Sequence, residues 1–474
     1  MKPITYRLIP LFLVSLTALT GIKSAMGQSD TSRVLSRIAF GSCANQNNDC
    51  PIWGTIDRFD PDLLLLLGDN IYADLVDGRL KPSTPTRIKS AYDALAALPE
   101  FAKLRSGTPM MATWDDHDYG NNDAGREWEH KTAAAQIFHD FFETPADSPR
   151  RNREGVYHSA VFGPEGKRTQ IILLDTRSFR SELRKADEPL PGMRARPYIA
   201  TDGDNATLLG EQQWKWLKQQ LLVPAEVRII GSSIQLLSND HPYEKWGNFP
   251  LERERFYKLV RECGSSGVIV LSGDRHLGEI SMDAKGLSYP LYDITASGLN
   301  QANRSWRETE KNAFRLAALQ YGNHFGSIEI DWNAEDPLIK MQLRHEDGEI
   351  AVQARIPLSK LQSAPAMPEL PSGIVGPMAA RDLAEGAEVK LQMRVVSGRE
   401  LGNRSRILLN SEENYRSSRN FTVVVNGAAL KGKLANAGLE SFKGKQILVT
   451  GKISIYRNTK QLAVDSPEQI EFVE

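Results

Sequence analysis

The run LLLLLGDN at 63–70 constrains this chain more than any other stretch. Consecutive leucines leave no polar face, so a strand made of them must be buried on both sides. It then halts on a glycine and an aspartate. The same form recurs in SRIAFGSC, TPMMATWDD, RTQIILLDTRS, VRIIGSSIQLL, GVIVLSGDRH and LYDITASG, each a brief apolar run closing on small or polar residues. Between these runs lie stretches with helical spacing: TRIKSAYDALAALPEFAKL, REWEHKTAAAQIFHDFFET, LGEQQWKWLKQQL and ERERFYKLVREC. Strands alternating with helices predict an α/β fold covered on both sides.

The residues able to do chemistry gather where the runs end. Cys43 follows IAFGS, Asp69 follows LLLLLG, Asp116 follows MMATWD, and Asp274 and His276 follow VIVLSG. In layered α/β proteins that edge of the sheet collects ligands. The stretch WDDHD also sets Asp115, Asp116, His117 and Asp118 side by side. Converging carboxylates raise one another's energy unless cations neutralise them, so a two-metal site is the simplest resolution. Thiolate, phenolate and imidazole suit a transition metal, whereas clustered carboxylates suit a hard cation, so the two metals are expected to differ. Glycine ahead of several of these groups is expected to let backbone and metal approach closely. Among the three cysteines, Cys43, Cys50 and Cys263, Cys43 either closes a short disulfide with Cys50 or serves as a metal thiolate.

Taken in order, FGSC, LGDNIYAD, TWDDHDYGNND, LLDTRSFR, LGEQQWKWL and LSGDRH resemble the PhoD-type alkaline phosphatases, a branch of the calcineurin-like metallophosphoesterases, over roughly residues 37–335. The resemblance implies a four-layer α/β/β/α sandwich and an extracytoplasmic phosphomonoesterase or phosphodiesterase. It implies Asp69 as the carboxylate bridging two metals. Cys43, Tyr72 and His276 would join it at Fe3+, and Asp116 and Asp274 would join it at Ca2+, with Mn2+, Zn2+ and Mg2+ as alternatives. His117 would be the acid for the leaving oxygen, while Asp115 and Asp118 would orient His117 or the ligands through hydrogen bonds. Water activated by the metal pair would attack phosphorus in line, and the chain carries no G-x-S-x-G nucleophile elbow. Two departures stand out: Cys43 occupies the place where most relatives carry an aspartate and histidine, and Asp115–Asp116–His117 replaces their GNH.

Further residues lie beside these. Arg275, Asn121, Asn122 and Arg126 can bind phosphate oxygens or pair with the surplus carboxylates, and Asn70 can hydrogen-bond the leaving group. DTRSFR at 175–180 reads as a structural edge held by Asp175 and Arg177, and the insert at 181–210 reads as a lid or rim.

Around this core the chain divides into parts. Lys2 and Arg7 precede LIPLFLVSLTALTG and then SAMGQ, the order of a secretory signal peptide, so residues 1–27 are expected to be a leader and the mature protein secreted or periplasmic. A catalytic domain at 28–361, a Pro/Gly-rich linker at 362–384 and a C-terminal domain at 385–474 follow. The last contains VKLQMRVVSG, SRILLNSE, NFTVVVNG, QILVTGKISIYRN and LAVDSPEQIEFV, with a helical ALKGKLANAG before the fourth strand, a pattern that suggests an OB-like barrel. Its closing GKISIYRNTKQLAVDSPEQIEFV resembles the last hairpin of bacterial OB-fold nucleic-acid-binding modules. Arg399, Arg404, Arg406, Arg416, Arg419, Tyr415 and Tyr456 form either a weak nucleic-acid or polysaccharide surface or a solvated face. From Val375 onward fifteen Lys and Arg face eleven Asp and Glu, an excess too small to mark a phosphate-backbone binder. The whole chain carries a formal net charge of -1, which gives no general pull toward nucleic acid or an anionic membrane. The sequence therefore points to an exported binuclear-metal phosphoester hydrolase acting on a phosphate ester, with no integral membrane span once mature. The competing readings are a phospholipase C or nuclease on the same centre, or a secreted polymer-binding protein with structural metals.

Overall fold

Every leucine of Leu63–Leu67 is buried. Leu63, Leu65 and Leu67 join one apolar cluster, and Leu64 and Leu66 join a second on the opposite face. The computed structural model describes residues 29–191, 196–201, 203, 205–303, 310–319, 321–362, 373–402, 405–417, 420–457 and 459–473. The expected leader, residues 363–372 of the linker, and Arg404 and Arg419 lie outside them. The chain forms two compact units, Met1–Ala364 and Pro365–Glu474.

The first unit is mixed α/β with two large sheets. Its strands are β1 (Arg37–Gly41), β2 (Leu63–Leu67), β3 (Met110–Thr113), β4 (His158–Phe162), β5 (Thr169–Leu173), β6 (Val227–Gly231) and β7 (Val268–Ser272). They continue as β8 (Gly278–Asp283), β9 (Leu291–Ala296), β10 (Arg315–Leu319), β11 (His324–Asp331), β12 (Leu338–His345) and β13 (Ile350–Pro357). One sheet has the order β13-β12-β11-β1-β2-β3, and the other β10-β8-β9-β7-β6-β5-β4. The strands that end in candidate ligands are parallel to their neighbours: β1 with β2, β2 with β3, and β7 with β6 and β9. Parallel pairing brings their C-terminal ends to a common edge.

The two faces of β1 and β2 explain the apolar runs. Ile38, Phe40, Leu65 and Leu67 share a cluster with Ile171, Ile229 and Ile269 of the other sheet. Ala39, Leu64 and Leu66 pack instead with Trp53, Ile56, Phe101 and Leu104, which belong to helices α1 (Ile52–Phe59) and α3 (Pro99–Gly107). At about 25 cal/mol per Å2 of apolar surface, a leucine buried this way contributes on the order of 1.5–3 kcal/mol.

The stretch expected as one helix over TRIKSAYDALAALPEFAKL is two. Helix α2 (Pro85–Ala97) starts on Thr84, whose side chain accepts from the Arg87 amide, and stops at Leu98 (φ -66, ψ 121). Pro99 disfavours helical backbone in the residue before it, so the chain turns there and α3 begins. Helix α4 (Lys131–Phe141) is shorter than its sequence suggested, because Trp128 is held in a turn by its amide to Gly125 O and its indole to Tyr119 O. Helices α5 (Gly210–Leu221) and α6 (Pro250–Glu262) fall where the spacing placed them.

The second unit is mostly strand. Its sheet runs Ile374–Val375, Glu388–Arg394, Gln446–Tyr456, Thr459–Val464, Thr422–Asn426, Arg406–Asn410 and Ser397–Leu401, and Ile470–Val473 pairs with Gln446–Tyr456. The helix expected in ALKGKLANAG is instead a single 3-10 turn at Gly432–Leu434, with a short helix after it at Leu439–Phe442. Gly432 (φ +53) lies in the left-handed region, which a helix cannot continue through.

Candidate metal centre and its cavity

Each strand end turns sharply as it leaves the sheet. Cys43 (φ 65), Asp69 (φ 49), Asp274 (φ 67) and His276 (φ 55) all adopt left-handed backbone, a conformation that costs non-glycine residues about 1 kcal/mol or more and that clusters at functional sites. Gly68 and Gly273 make these turns possible by letting strand ends crowd together. A Cβ on Gly68 would lie 2.5 Å from Asp115 Cβ, and one on Gly273 would lie 2.6 Å from Ser42 Oγ. A Cβ on Gly68 would also meet the Asp115 amide nitrogen at 2.6 Å, so the close backbone approach expected of these glycines is present.

Asp69 stands at the middle of the cluster. Its Oδ2 accepts from Cys43 Sγ and from the Tyr72 hydroxyl, both at 3.4 Å, and its Oδ1 lies 3.4 Å from the His117 amide. The Tyr72 hydroxyl is 3.0 Å from His276 Nε2. Donor atoms of Cys43, Asp69 and His276 lie within 4.8 Å of one another, as do those of Asp69, Asp116 and His117. Asp69 belongs to both groups. Two more sets meet the same distance: Asp115, Glu244 and Asp274, and Asp116, Asp123 and Glu244. Asp274 therefore faces Asp115 and Glu244, and it lines the same cavity as Asp69 and Asp116.

Burial sets the electrostatics. Left to themselves, burial pushes Asp69 and Asp274 well above the ordinary carboxylate range, with neighbouring carboxylates adding to the shift. Burial takes Asp118 up to about 8, and takes Asp115 up to about 7 in spite of Arg177. Asp116 goes the other way: burial opposes its charge, but His117 and Arg177 hold it below the usual range. Burial likewise works against a charged His117, yet Asp116 and Asp69 carry it well above an ordinary imidazole. Burial, then His117 and Arg275, brings His276 down to about 4, so it is a neutral imidazole fit to be a ligand.

The donor set suits metal ions on an observation independent of the motifs. Asp115 Oδ2 and Asp116 Oδ1 are buried oxygens without a hydrogen-bond partner. An orphaned buried acceptor normally costs about 1–3 kcal/mol, and more if charged, unless something binds it.

A cavity of about 650 Å3 opens over this floor. Asp69, Asp116, His117, Asp274, Arg275 and His276 all line it, as does Asn122. Cys43 and Tyr72 sit behind Asp69, buried. All three cysteines are free, so the Cys43–Cys50 disulfide does not form. Three residues expected at the substrate, Asn70, Asn121 and Arg126, are not among the described residues lining the cavity. Asn70 gives its amide to Thr113 O (2.8 Å) and Asp118 Oδ2 (2.6 Å), and Arg126 is exposed.

Other residues were passed over. Asp74 accepts from His117 Nδ1 at 2.7 Å, whereas Asp118 accepts from the Asp115 amide at 2.6 Å and Asp115 faces Arg177 and Ser233. Arg177, read as a structural edge, is fully buried and ion-paired to both Asp115 and Glu244. Asp123 and Glu244 line the cavity. Asp74 and Asp123 lay inside the motifs LGDNIYAD and TWDDHDYGNND and could have been read from them; Glu244, in a polar loop after SIQLL, carried no local signal.

With this geometry in place, comparison with known proteins is informative. The profile of the PhoD-like phosphatase family matches residues 38–335. Alkaline phosphatase D of Bacillus subtilis (strain 168) is 26% identical over 188 residues, which is 35% of this chain and 31% of that protein. The match thus spans about a third of the length of that curated relative. The solved structure of PhoD superposes with a TM-score of 0.54 at 17% identity, covering 70% of each chain, a likeness of fold.

Proposed function

Because this chain belongs to the PhoD-like phosphatase family, we propose that it is a phosphoester hydrolase whose water nucleophile is activated by two unlike metal ions. The observation that carries this reading is Asp69, which belongs both to the group with Cys43 and His276 and to the group with Asp116 and His117. The soft donors Cys43, Tyr72 and His276 would hold Fe3+ with Asp69, and Asp116 would share Ca2+ with it. Asp274, which joins Asp115 and Glu244, would complete the hard side. When bound, such ions supply a water of lowered pKa and neutralise charge on phosphoryl oxygens.

The chain's own residues do the rest. Asp74 takes the Nδ1 proton of His117 as a hydrogen bond and so leaves Nε2 for the substrate side. Burial opposes a charged imidazole, whereas the Asp74 carboxylate beside Nδ1 favours it, so His117 can give a proton from Nε2 to the departing alkoxide. Tyr72 stacks on the His117 ring with centroids 4.1 Å apart and limits its rotation.

We also read the two sheets as the inner layers of an α/β/β/α sandwich, since one apolar cluster joins residues of both. The second unit reads as an OB-like barrel, because Glu388–Arg394 and Ser397–Leu401 are nearly contiguous in the chain yet lie toward opposite ends of the strand order. The leader-like N-terminus supports export, and no helix among the described residues is long and apolar enough to cross a membrane.

The test is metal analysis of the native protein, followed by chelation and assay on an aryl phosphomonoester and an aryl phosphodiester. Activity indifferent to chelation overturns the metal mechanism. A visible charge-transfer band that is lost in Tyr72→Phe supports ferric iron at Tyr72, and an iron-loaded protein without that band removes the assignment.

A further inference from the structure

The cavity has two chemically opposite zones. Its floor is acidic, whereas one wall carries Lys185 and Arg196, both exposed. That wall is a built element. Lys185 and Tyr198 pair as an antiparallel bridge, and the Tyr198 amide donates to Pro242 O at 2.8 Å. The Tyr198 hydroxyl donates to Asp123 Oδ2 at 2.7 Å, and the Asp123 amide donates to Asp116 Oδ2 at 2.7 Å. Two hydrogen bonds therefore tie the cationic wall to a residue of the floor.

The charges on the wall are uncommitted. Arg275, the other lining guanidinium, is spoken for: it pairs with Glu310 (2.8 Å) and lies 4.2 Å over the Tyr243 ring. Lys185 Nζ rests 5.5 Å from the Tyr198 ring centroid, and neither Lys185 nor Arg196 has a carboxylate partner among the described residues. With acidic side chains in the same cavity, two free cations would be expected to pair with them. They line the cavity without pairing with those acids, so an anionic group of a substrate would be drawn to them once metal ions neutralise the floor.

We propose that this wall selects phosphoesters whose leaving group carries a second anion, phosphate or carboxylate, with Lys185 and Arg196 as its receptors. The inference rests on the hydrolase reading above and names the substrate class of that same cavity. A second phosphate held by Arg196 gains a forked, charge-assisted contact, and Lys185 adds a point charge beside it. An uncharged leaving group gains neither. Lys185 and Arg196 are positioning residues in this scheme and take no part in the phosphorus–oxygen bond cleavage.

The experiment uses the full metal-loaded protein and three alkyl substrates: propane-1,3-diol monophosphate, propane-1,3-diol bisphosphate, and the phosphate ester of 3-hydroxypropanoate. Phosphate release gives kcat/KM for each. The expected result is a preference for one or both doubly anionic esters over the monophosphate, with the two doubly anionic arms showing which anion is read. In Lys185→Gln/Arg196→Gln that preference should fall about tenfold, through KM, the range for a charged pair at a solvent-facing wall. An equal loss on all three esters, or an unchanged preference, overturns the inference and leaves the hydrolase reading intact. No turnover of any of the three esters by the wild-type protein overturns the inference, and the aryl monoester and diester assay above decides the hydrolase reading separately.

Discussion

His117 Nδ1 lies 2.7 Å from Asp74 Oδ1, and this contact, made between the helical turn Asp116–Tyr119 and the loop that follows Leu63–Leu67, sets the direction of the imidazole. Asp74 is fully buried and its other oxygen has no partner, so the carboxylate has no competing task. Asp74→Asn keeps an acceptor but removes the charge. It is expected to lower kcat about 10–100-fold with the metal content kept, the usual scale for a supporting carboxylate. Steady-state kinetics on an alkyl and a nitrophenyl ester should show the larger loss on the alkyl ester, which needs its leaving oxygen protonated. Equal rates in the variant and the parent would remove Asp74 from the mechanism.

His117 itself makes a sharper case. Its ring touches Asp74 and Tyr72 and its Nε2 lies 4.0 Å from Asp116 Oδ1, so it can act on substrate without being a ligand. His117→Ala is expected to cost about 10²–10⁴ in kcat, the range for a general acid, while elemental analysis finds both metals. Loss of both metals would show that His117 is a ligand.

Fully buried Arg177 pairs with both Asp115 and Glu244. Arg177→Met fits the space but leaves Asp115 in the core without its guanidinium, while Glu244 keeps Arg180 at 3.8 Å. Breaking a buried ion pair from one side typically costs about 3–5 kcal/mol, so chemical denaturation should find a loss of that size. A Met variant as stable as the parent would mean that the acids are compensated by something other than Arg177.

Asp293 offers a pH test away from the metal ligands. Burial pushes its carboxyl up to about 6 from 3.8, although the Leu236 and Leu237 amides and Ser272 Oγ all donate to it. A carboxyl whose folded pKa lies above its unfolded value contributes stability that is fully present below the unfolded pKa. That contribution is lost as pH rises through the folded pKa. The window is pH 4 to 6, and the loss across it is about 3 kcal/mol at 1.36 kcal/mol per unit. Asp293→Asn keeps an acceptor for the two amides and does not titrate, so the stability difference between variant and parent should change across that window. A difference that stays flat with pH would refute the shifted carboxyl.

The amino-acid sequence by itself determined which strands are buried on both faces, that their C-terminal ends meet at one edge, and which of Cys43, Asp69, Tyr72, Asp116, His117 and His276 gather there. These are local properties: a run such as Leu63–Leu67 has no polar face to expose, and its burial and parallel pairing place whatever follows it. Only the tertiary structure decided which partner each charge takes. Arg177 meets Asp115 and Glu244 across 62 and 67 positions, and His117 meets Asp74 across 43. The acidic string at 115–118 offers His117 nearer candidates along the chain. A buried charge is compensated by whatever lies within about 4 Å of it, and that distance depends on how distant loops cross, a quantity no spacing along the chain encodes.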